Sequence, residues 1–563
     1  MIRISRLVKR EHLFFTFLVV LNLAYLVSRA HVVLIIVSLI FSMGLVTLTS
    51  LLNRKATKIL IFVVGILYLF LTYYYFRWSS WDGNVLYLRN VLLLKDDFRI
   101  SYFETPLFPY LGELFLAAIL KFGSLRLMNL SFGVATVGSV VTTMILYRKL
   151  GMKSGVSGLA LLLLLTSPTF LYFALTEFKI DMFLLVVANL SLVVFLQLLE
   201  KPTFSNIALL GILLVMGTLI KVLFLAISTT IIFLAGFELL KRRLFKGLAL
   251  LLISFCVPIM LWAYYYGLYI KPEITLNSPY SLLAELKLER DDKKMLECIY
   301  DAGKNDSDRY LNVLSSRGVT GHANPGPFMY AGTFLVLLFP VLYKLSAQGK
   351  KVARVMAIGM VTTALYFVYV GVIYWYLFAI FPLISLVIAI LIDDLIKSKL
   401  LRNFLIGLTV STGLIAVLGP VRGVFRTGKS PRDISGEFTS LTLMETYKMN
   451  IFLGEVSQNS YVLDASEHTS AVFLPYLKDY DKKVIKSRYY FASAGKPLKD
   501  VYRELKQKKI DIIVVDKSKL MDPWYYKACP AINRRILIEF LNNYTHEIYR
   551  QGDSPVIFKL NET

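Results

Sequence analysis

Several short stretches of this 563-residue chain set chemically capable side chains against apolar sequence. SSWDGNVLYLRN carries Asp82, Tyr87 and Arg89 close behind the aromatic run ILIFVVGILYLFLTYYYF, and YFETPLFPYL carries Tyr102 and Glu104. TEFKID holds Lys179 and Asp181, MGTLIKVLFL holds Lys221, HANPGPF holds His322 and YWYLFAIFPL holds Tyr376. A carboxylate within hydrogen-bond reach of a hydroxyl can take its proton as a new bond forms. A fixed lysine in a water-poor site stabilises negative charge on a departing group far better than it would in bulk water. Each residue alone has a plainer use. Asp82 can cap a helix, Asp181 can be the N-cap of the apolar helix that follows, Lys221 can snorkel, His322 can be structural, and Tyr374 to Tyr376 can belong to an aromatic belt. What the plainer uses explain poorly is a gathering of all of them at one level, so the elements that position them decide the matter.

Those elements are membrane helices. Mean hydropathy is +0.61, and 56% of the side chains are apolar, in repeated long runs. This composition excludes a soluble globule and makes the bilayer the main solvent. A net charge of +24 would suggest nucleic acid in a soluble protein, but basic loops that orient a membrane chain account for it, and no nucleic-acid partner is expected. Three cysteines form no metal spacing, and no divalent metal or other cofactor is supported by ligand spacing; Cys256 lies in an apolar run, while Cys298 and Cys529 could meet only in a shared compartment. The start, MIRISRLVKREHLFF, has the charge of a signal-peptide n-region without a small-residue cleavage site after the apolar stretch, which predicts a retained first helix.

Apolar runs near 12–28, 32–52, 59–76, 127–147, 156–175, 182–199, 205–220, 222–240, 247–267, 327–343, 352–371, 377–392 and 403–420 predict a polytopic α-helical membrane protein of about thirteen transmembrane helices. With the N-terminus cytoplasmic, MIRISRLVKR, NRKATK, YRKLGMK, EKPTFS, KRRLFK, KLSAQGKKVAR and KSKLLR fall inside, and that excess of Lys and Arg sets the orientation. Counting PLFPYLGELFLAAILKF (Pro106 to Phe122) as a span would reverse most later basic loops, so it is expected to lie along the outer interface or re-enter. The transmembrane domain then covers 1–420, with an outer loop at 78–126 and a second at 269–326, and the chemically capable stretches above all reach the outer face. From 421 to 563 charges are frequent and apolar runs short. SYVLDA, KKVIKS, KIDIIVVD and SPVIFKL predict strands, and TSAVFLPYLKD, PLKDVYRELKQKK and NRRILIEFLNNY predict helices, of a small soluble extracytoplasmic α/β domain.

At these stretches the sequence resembles the GT-C fold membrane glycosyltransferases of glycosyltransferase family 39, the protein O-mannosyltransferase and lipid A aminoarabinose transferase type. In that family an acidic pair follows an early span, here at Asp82. A Tyr-Phe-Glu-x-Pro or Pro-Pro-Leu stretch closes the loop (YFETPLFPYL), a hairpin carries an aspartate (Asp181), and a lysine sits in a Met-x-x-x-Lys-like turn (Lys221). A histidine before Pro-Phe (His322) and a tyrosine near a Leu-x-x-x-x-Pro run (Tyr376) complete the series over about 59–400. The pattern departs where Gly83 stands for the second acid, where the following tyrosine falls one place late at Tyr87, and where more spans precede the loop than in many relatives.

The resemblance implies an inverting transferase that moves a sugar from a dolichyl- or undecaprenyl-phosphate donor to a hydroxyl or phosphate of a protein, glycolipid or polysaccharide acceptor. The membrane would be the plasma membrane or the endoplasmic reticulum. In that reading Asp82 is the base. Lys221, with Arg89 and Lys179 behind it, meets the donor phosphate, while Tyr87, Tyr102, Glu104, Asp181, His322 and Tyr376 orient substrate. A transporter or flippase for a lipid-linked sugar is the alternative, although neither an internal repeat nor midplane charges are evident.

Overall fold

The protein is described by a computed structural model. Its described residues are 2–29, 32–51, 54–74, 91, 94, 110–175, 180–265, 329, 332–333, 335–336, 357–362, 364, 374–427, 452–457, 459–464, 484–486, 497–515, 534–550 and 556–562. The chain divides into two compact units. One comprises Met1–Trp78, Leu107–Trp262 and Asp308–Gly428; the other comprises Ser79–Pro106, Ala263–Ser307 and Lys429–Thr563.

The first unit is helical. It opens with α1 (Ile2–Arg29), α2 (Val32–Leu51) and α3 (Arg54–Tyr74), and continues with α4 (Leu111–Phe122) and α5 (Leu125–Lys149). Then come α6 (Ser154–Leu165), α7 (Pro168–Leu175), α8 (Asp181–Glu200), α9 (Phe204–Ile220), α10 (Leu225–Lys241), α11 (Phe245–Tyr265), α12 (Phe381–Leu395) and α13 (Lys399–Thr427). Among the described residues five helical stretches are long and apolar enough to cross a membrane: Arg126–Lys149, Asp181–Glu200, Val222–Lys241, Phe245–Tyr265 and Leu377–Leu395. Four shorter apolar helices, His12–Ala24, Val32–Gly44, Phe62–Tyr73 and Phe204–Ile220, fall below that length. The protein is an integral membrane protein.

One expected span is not a single straight helix. The run at 156–175 is the pair α6 and α7, bent by 65°. Pro168, which has no N–H to donate, opens α7 at the break. Likewise the run at 377–392 begins inside a 3-10 turn, Tyr374–Ile380, and becomes α-helical at Phe381, where Pro382 sits in the first turn and tolerates the missing donor. The runs expected at 327–343 and 352–371 lie largely outside the described residues.

Small and polar side chains bring the helices together, as packing without a hydrophobic drive between helices requires. Asn189 on α8 donates to Thr143 Oγ1 at 2.9 Å and Thr142 Oγ1 at 3.2 Å on α5. Tyr147 on α5 donates to the Pro382 carbonyl at 2.8 Å. At the other side of the unit Thr412 on α13 reaches Asn22 on α1 at 3.1 Å, and Ser411 reaches Ser42 on α2 at 3.0 Å.

The second unit holds a five-stranded sheet of β1 (Tyr461–Asp464), β2 (Val484–Lys486), β3 (Ile510–Val515), β4 (Thr545–Tyr549) and β5 (Val556–Leu560), in the order β2-β1-β3-β5-β4. β1 is parallel to both β2 and β3, and β5 is antiparallel to β3 and β4. Helix α14 (Leu498–Gln507) presents Leu498, Val501, Tyr502 and Leu505 at the 3.6-residue period, and α15 (Arg534–Tyr544) presents Leu537, Phe540, Leu541 and Tyr544 in the same spacing. Both stripes close on one core with Leu463, Ile513 and Val515 of the sheet. The expected helix TSAVFLPYLKD lies outside the described residues. The sequence reading passed over β4: among the described residues THEIY is an edge strand, paired with β5 alone, so its polar alternation carries a weak strand signal.

Candidate active site

The site is built where three helix ends of the first unit meet. At the start of α4, Tyr110 is buried with a left-handed backbone (φ 58°), a conformation costly for a bulky residue. Gly112 follows, and a Cβ there would stand 3.0 Å from Ile180 Cγ2, a tight approach that would force the Ile180 side chain to give way. The next residue, Glu113, is buried within electrostatic reach of Lys221 and Asp181.

Asp181 is the first residue of α8, whose N-cap is Ile180 with no side-chain capping bond. Asp181 is therefore not the N-cap that its sequence position allowed. It sits one residue further in, where the helix dipole favours a negative charge.

Lys221 ends α9. Its N–H still reaches the Gly217 carbonyl at 3.0 Å, but its own backbone is extended (φ −150°, ψ 119°), and the chain turns through a short 3-10 segment, Val222–Phe224, into α10. Gly217 permits this turn: a Cβ there would fall 2.3 Å from the ring of the buried Phe224, which folds back over it. Thr218 and Ser228 bridge the two helices at 3.0 Å. The turn is thus held on both sides, and the lysine points from a fixed place.

It points at Asp181. Lys221 Nζ donates to Asp181 Oδ1 at 2.8 Å, with the two side chains only 8% and 1% exposed. That is a buried ion pair and not a snorkelling lysine. Asp181 Oδ2 has no hydrogen-bond partner among the described residues, and neither does either carboxyl oxygen of Glu113, which is fully buried. Twelve residues of helix rise about 18 Å, against a hydrocarbon core of about 30 Å, so α4 and its Glu113 stand outside the spanning segments. Burial pushes the Glu113 carboxyl up to about 8; its own backbone amide and Lys221 pull the other way, and Asp181 adds to the rise. Aromatic edges brace the cluster: Phe183 on α8 meets Phe115 on α4 at 5.9 Å and Phe132 on α5 at 5.5 Å.

Of the residues singled out in the sequence, the structure brings Asp181 and Lys221 together. Asp82, Tyr87, Arg89, Tyr102, Glu104, Lys179 and His322 lie outside the described residues, and Tyr376 is described only by its backbone, within the 3-10 turn Tyr374–Ile380. Sequence reasoning missed Glu113 and also Asn129, buried on α5 with both amide atoms unpartnered among the described residues. A signal was present for the first: Glu113 is the lone acid in PLFPYLGELFLAAILKF. Among the described residues no three His, Cys, Asp or Glu gather as a metal site would require.

No family model and no curated protein matches the chain in sequence. Among solved structures it is similar to the oligosaccharyltransferase of Archaeoglobus fulgidus in complex with zinc and sulfate, at 10% identity and a TM-score of 0.45 over 88% of this chain and 72% of that one. It is also similar to the archaeal oligosaccharyltransferase AglB from Archaeoglobus fulgidus with an inhibitory peptide and a dolichol-phosphate, at 9% identity and a TM-score of 0.45 over 90% of this chain and 75% of that one. At these values the likeness assigns nothing by itself, and function must be argued from the residues.

Proposed function

We propose that this protein is an inverting membrane glycosyltransferase of the GT-C type that takes a sugar from a polyprenyl-phosphate donor on the outer or lumenal face. The single observation that carries the reading is the Asp181–Lys221 pair: a lysine held by a helix break among apolar sequence, buried, and aimed at the end of a neighbouring helix. A buried ion pair is a poor device for stability alone, because desolvating both groups offsets most of their attraction. Here the pair fixes the ammonium at the turn between α9 and α10, and the reading places the lipid phosphate against it.

In the proposed reaction the acceptor oxygen attacks the anomeric carbon from the face opposite the phosphate, and Asp82 takes the acceptor's proton. The carbon–oxygen bond to the phosphate breaks with its electron pair, and the polyprenyl phosphate leaves with added negative charge. Lys221 stabilises that charge, and a fixed cation in a water-poor site does so without reorganising. Asp181 acts on the substrate through Lys221, by setting where the ammonium stands. Arg89 and Lys179 are second candidates for the phosphate, and Tyr87, Tyr102, Glu104, His322 and Tyr376 for orienting sugar or acceptor. The acceptor is a hydroxyl or phosphate of a protein, a glycolipid or a polysaccharide.

The test is mass spectrometry of surface glycans and glycolipids from cells with the gene, without it, and with Lys221→Met. A sugar lost in the deletion and in Lys221→Met supports the reading. Identical glycans in all three overturn it.

A further inference from the structure

The proposed mechanism leaves one buried group unused. Glu113 has no hydrogen-bond partner among the described residues on either carboxyl oxygen, and it lies within electrostatic reach of an ion pair whose acid also has one unpartnered oxygen, Asp181 Oδ2. Among the described residues, two buried carboxyls and one lysine make up the cluster, and both carboxyls cannot stay ionised cheaply: the group would carry a net negative charge in low dielectric, and its unpaired acceptors would each cost free energy. One proton held by a carboxyl makes the cluster neutral and turns an acceptor into a donor.

Among the described residues no other charge takes that part. From α9 the cluster receives only Lys221, and from α8 only Asp181, since Glu200 ends that helix far away and bonds Lys149. From α5 comes Arg126, but its guanidinium lies 5.8 Å over the ring of Tyr73. On α4 itself Lys121 is exposed more than two turns away.

Resting on the reading of Lys221 as the phosphate contact, we infer that Glu113 is a proton-carrying positioning residue: protonated, it closes onto Asp181 Oδ2 and lets Lys221 share its ammonium with a phosphate oxygen. The exchange balances. As Lys221 turns part of its charge to the phosphate, Asp181 loses some compensation, and the Glu113 proton replaces it with a hydrogen bond. With Glu113 ionised, the same movement would leave two carboxylates beside an incoming phosphate, and binding would weaken.

The experiment uses the full chain in nanodiscs with undecaprenyl monophosphate as the probe. Difference infrared spectroscopy at pH 7 should show the carbonyl band of a buried protonated carboxylic acid in the wild type, and Glu113→Gln should abolish it. Affinity for the probe should hold steady from pH 7 to near 8 and then weaken about tenfold per pH unit, as linkage to one proton demands. The probe's own second ionisation, near pH 6, is complete by then. Glu113→Gln keeps a donor but cannot ionise, so its affinity should stay near the wild-type value at pH 7 and remain flat to pH 9. Glu113→Leu removes the donor and should weaken binding up to about tenfold at every pH. A wild-type pH profile reproduced by Glu113→Gln, or no carbonyl band assignable to Glu113, overturns the inference. Should the wild type ignore the probe, or bind it equally well with Lys221→Met, the phosphate reading fails, and the inference that rests on it falls too. Should binding depend on Lys221 while Glu113→Gln changes nothing, only the inference fails.

Discussion

Replacing Lys221 with methionine keeps the apolar stem and removes the charge, and the cost can be worked from the pair it leaves behind. Asp181 would be 1% exposed with neither oxygen partnered among the described residues. Breaking a buried pair in this way costs about 3–5 kcal/mol when the remaining charge stays. Lys221→Met should therefore lose about 3–5 kcal/mol of stability. Asp181→Asn should lose a similar amount, because it strands the ammonium. The double variant Asp181→Asn/Lys221→Met removes both charges and should recover most of the loss, giving a coupling of several kcal/mol in a double-mutant cycle. The assay is thermal unfolding in nanodiscs at several pH values, with undecaprenyl-phosphate binding measured in parallel. If the two single losses simply add in the double variant, to within about 0.5 kcal/mol, the pair is not coupled and the account of the site is wrong. Lys221→Arg should restore stability more than function, since a planar fork presents its charge differently from a compact ammonium.

Other outcomes follow from the same geometry. Gly217→Ala sets a Cβ 2.3 Å from the Phe224 ring and should cost about 1–3 kcal/mol in thermal unfolding, with Phe224→Leu restoring part of it. Asp82→Asn should abolish transfer while leaving donor affinity near normal, and a residual rate above about a tenth would remove Asp82 from the base role. Glu113 takes its proton at about 8 in the fold against an ordinary 4.5, so the stability that neutral Glu113 contributes is complete below about pH 4.5 and is lost as the pH rises to about 8. Glu113→Gln should flatten that slope in melts taken across this window. In a cysteine-free background, single cysteines at Ser307 and Ser470 should react with an impermeant maleimide from outside and one at Ser346 should not; the reverse pattern would invert the topology.

How much of this was legible in the sequence differs by scale. Helices such as α8 and α11 begin and end within two residues of the apolar runs that predicted them, because a run of that length without Gly or Pro pairs has no other way to satisfy its backbone in lipid. The strands β1, β3 and β5 were visible as β-branched clusters for a similar reason. Breaks were less visible. The 65° bend falls at a single proline, Pro168, that hydropathy averages away, and the turn at Lys221 depends on Gly217 making room for a ring seven residues later. The polar residues of the site were named one by one, but their pairing was not. Lys221 looked isolated because its partner lies 40 residues away on the helix before.

Glu113 shows why such a residue escapes a sequence reading and what recovers it. In PLFPYLGELFLAAILKF a lone glutamate on a short amphipathic helix has an ordinary place at a membrane interface, facing water, and nothing local contradicts that. Its burial is decided elsewhere: by Gly112, which has no Cβ to hold Ile180 off, and by Phe115 and Phe132, which close over Phe183. With these contacts its one acid is buried instead of solvated, within electrostatic reach of Asp181 and Lys221. A carboxyl brought to such a place must find a partner or carry a proton, since an isolated charge there is too costly to keep. Among the described residues it finds no partner, and Asp181 already holds the nearest cation. The proton is what remains, and with it Lys221 can be paired and still serve a second anion.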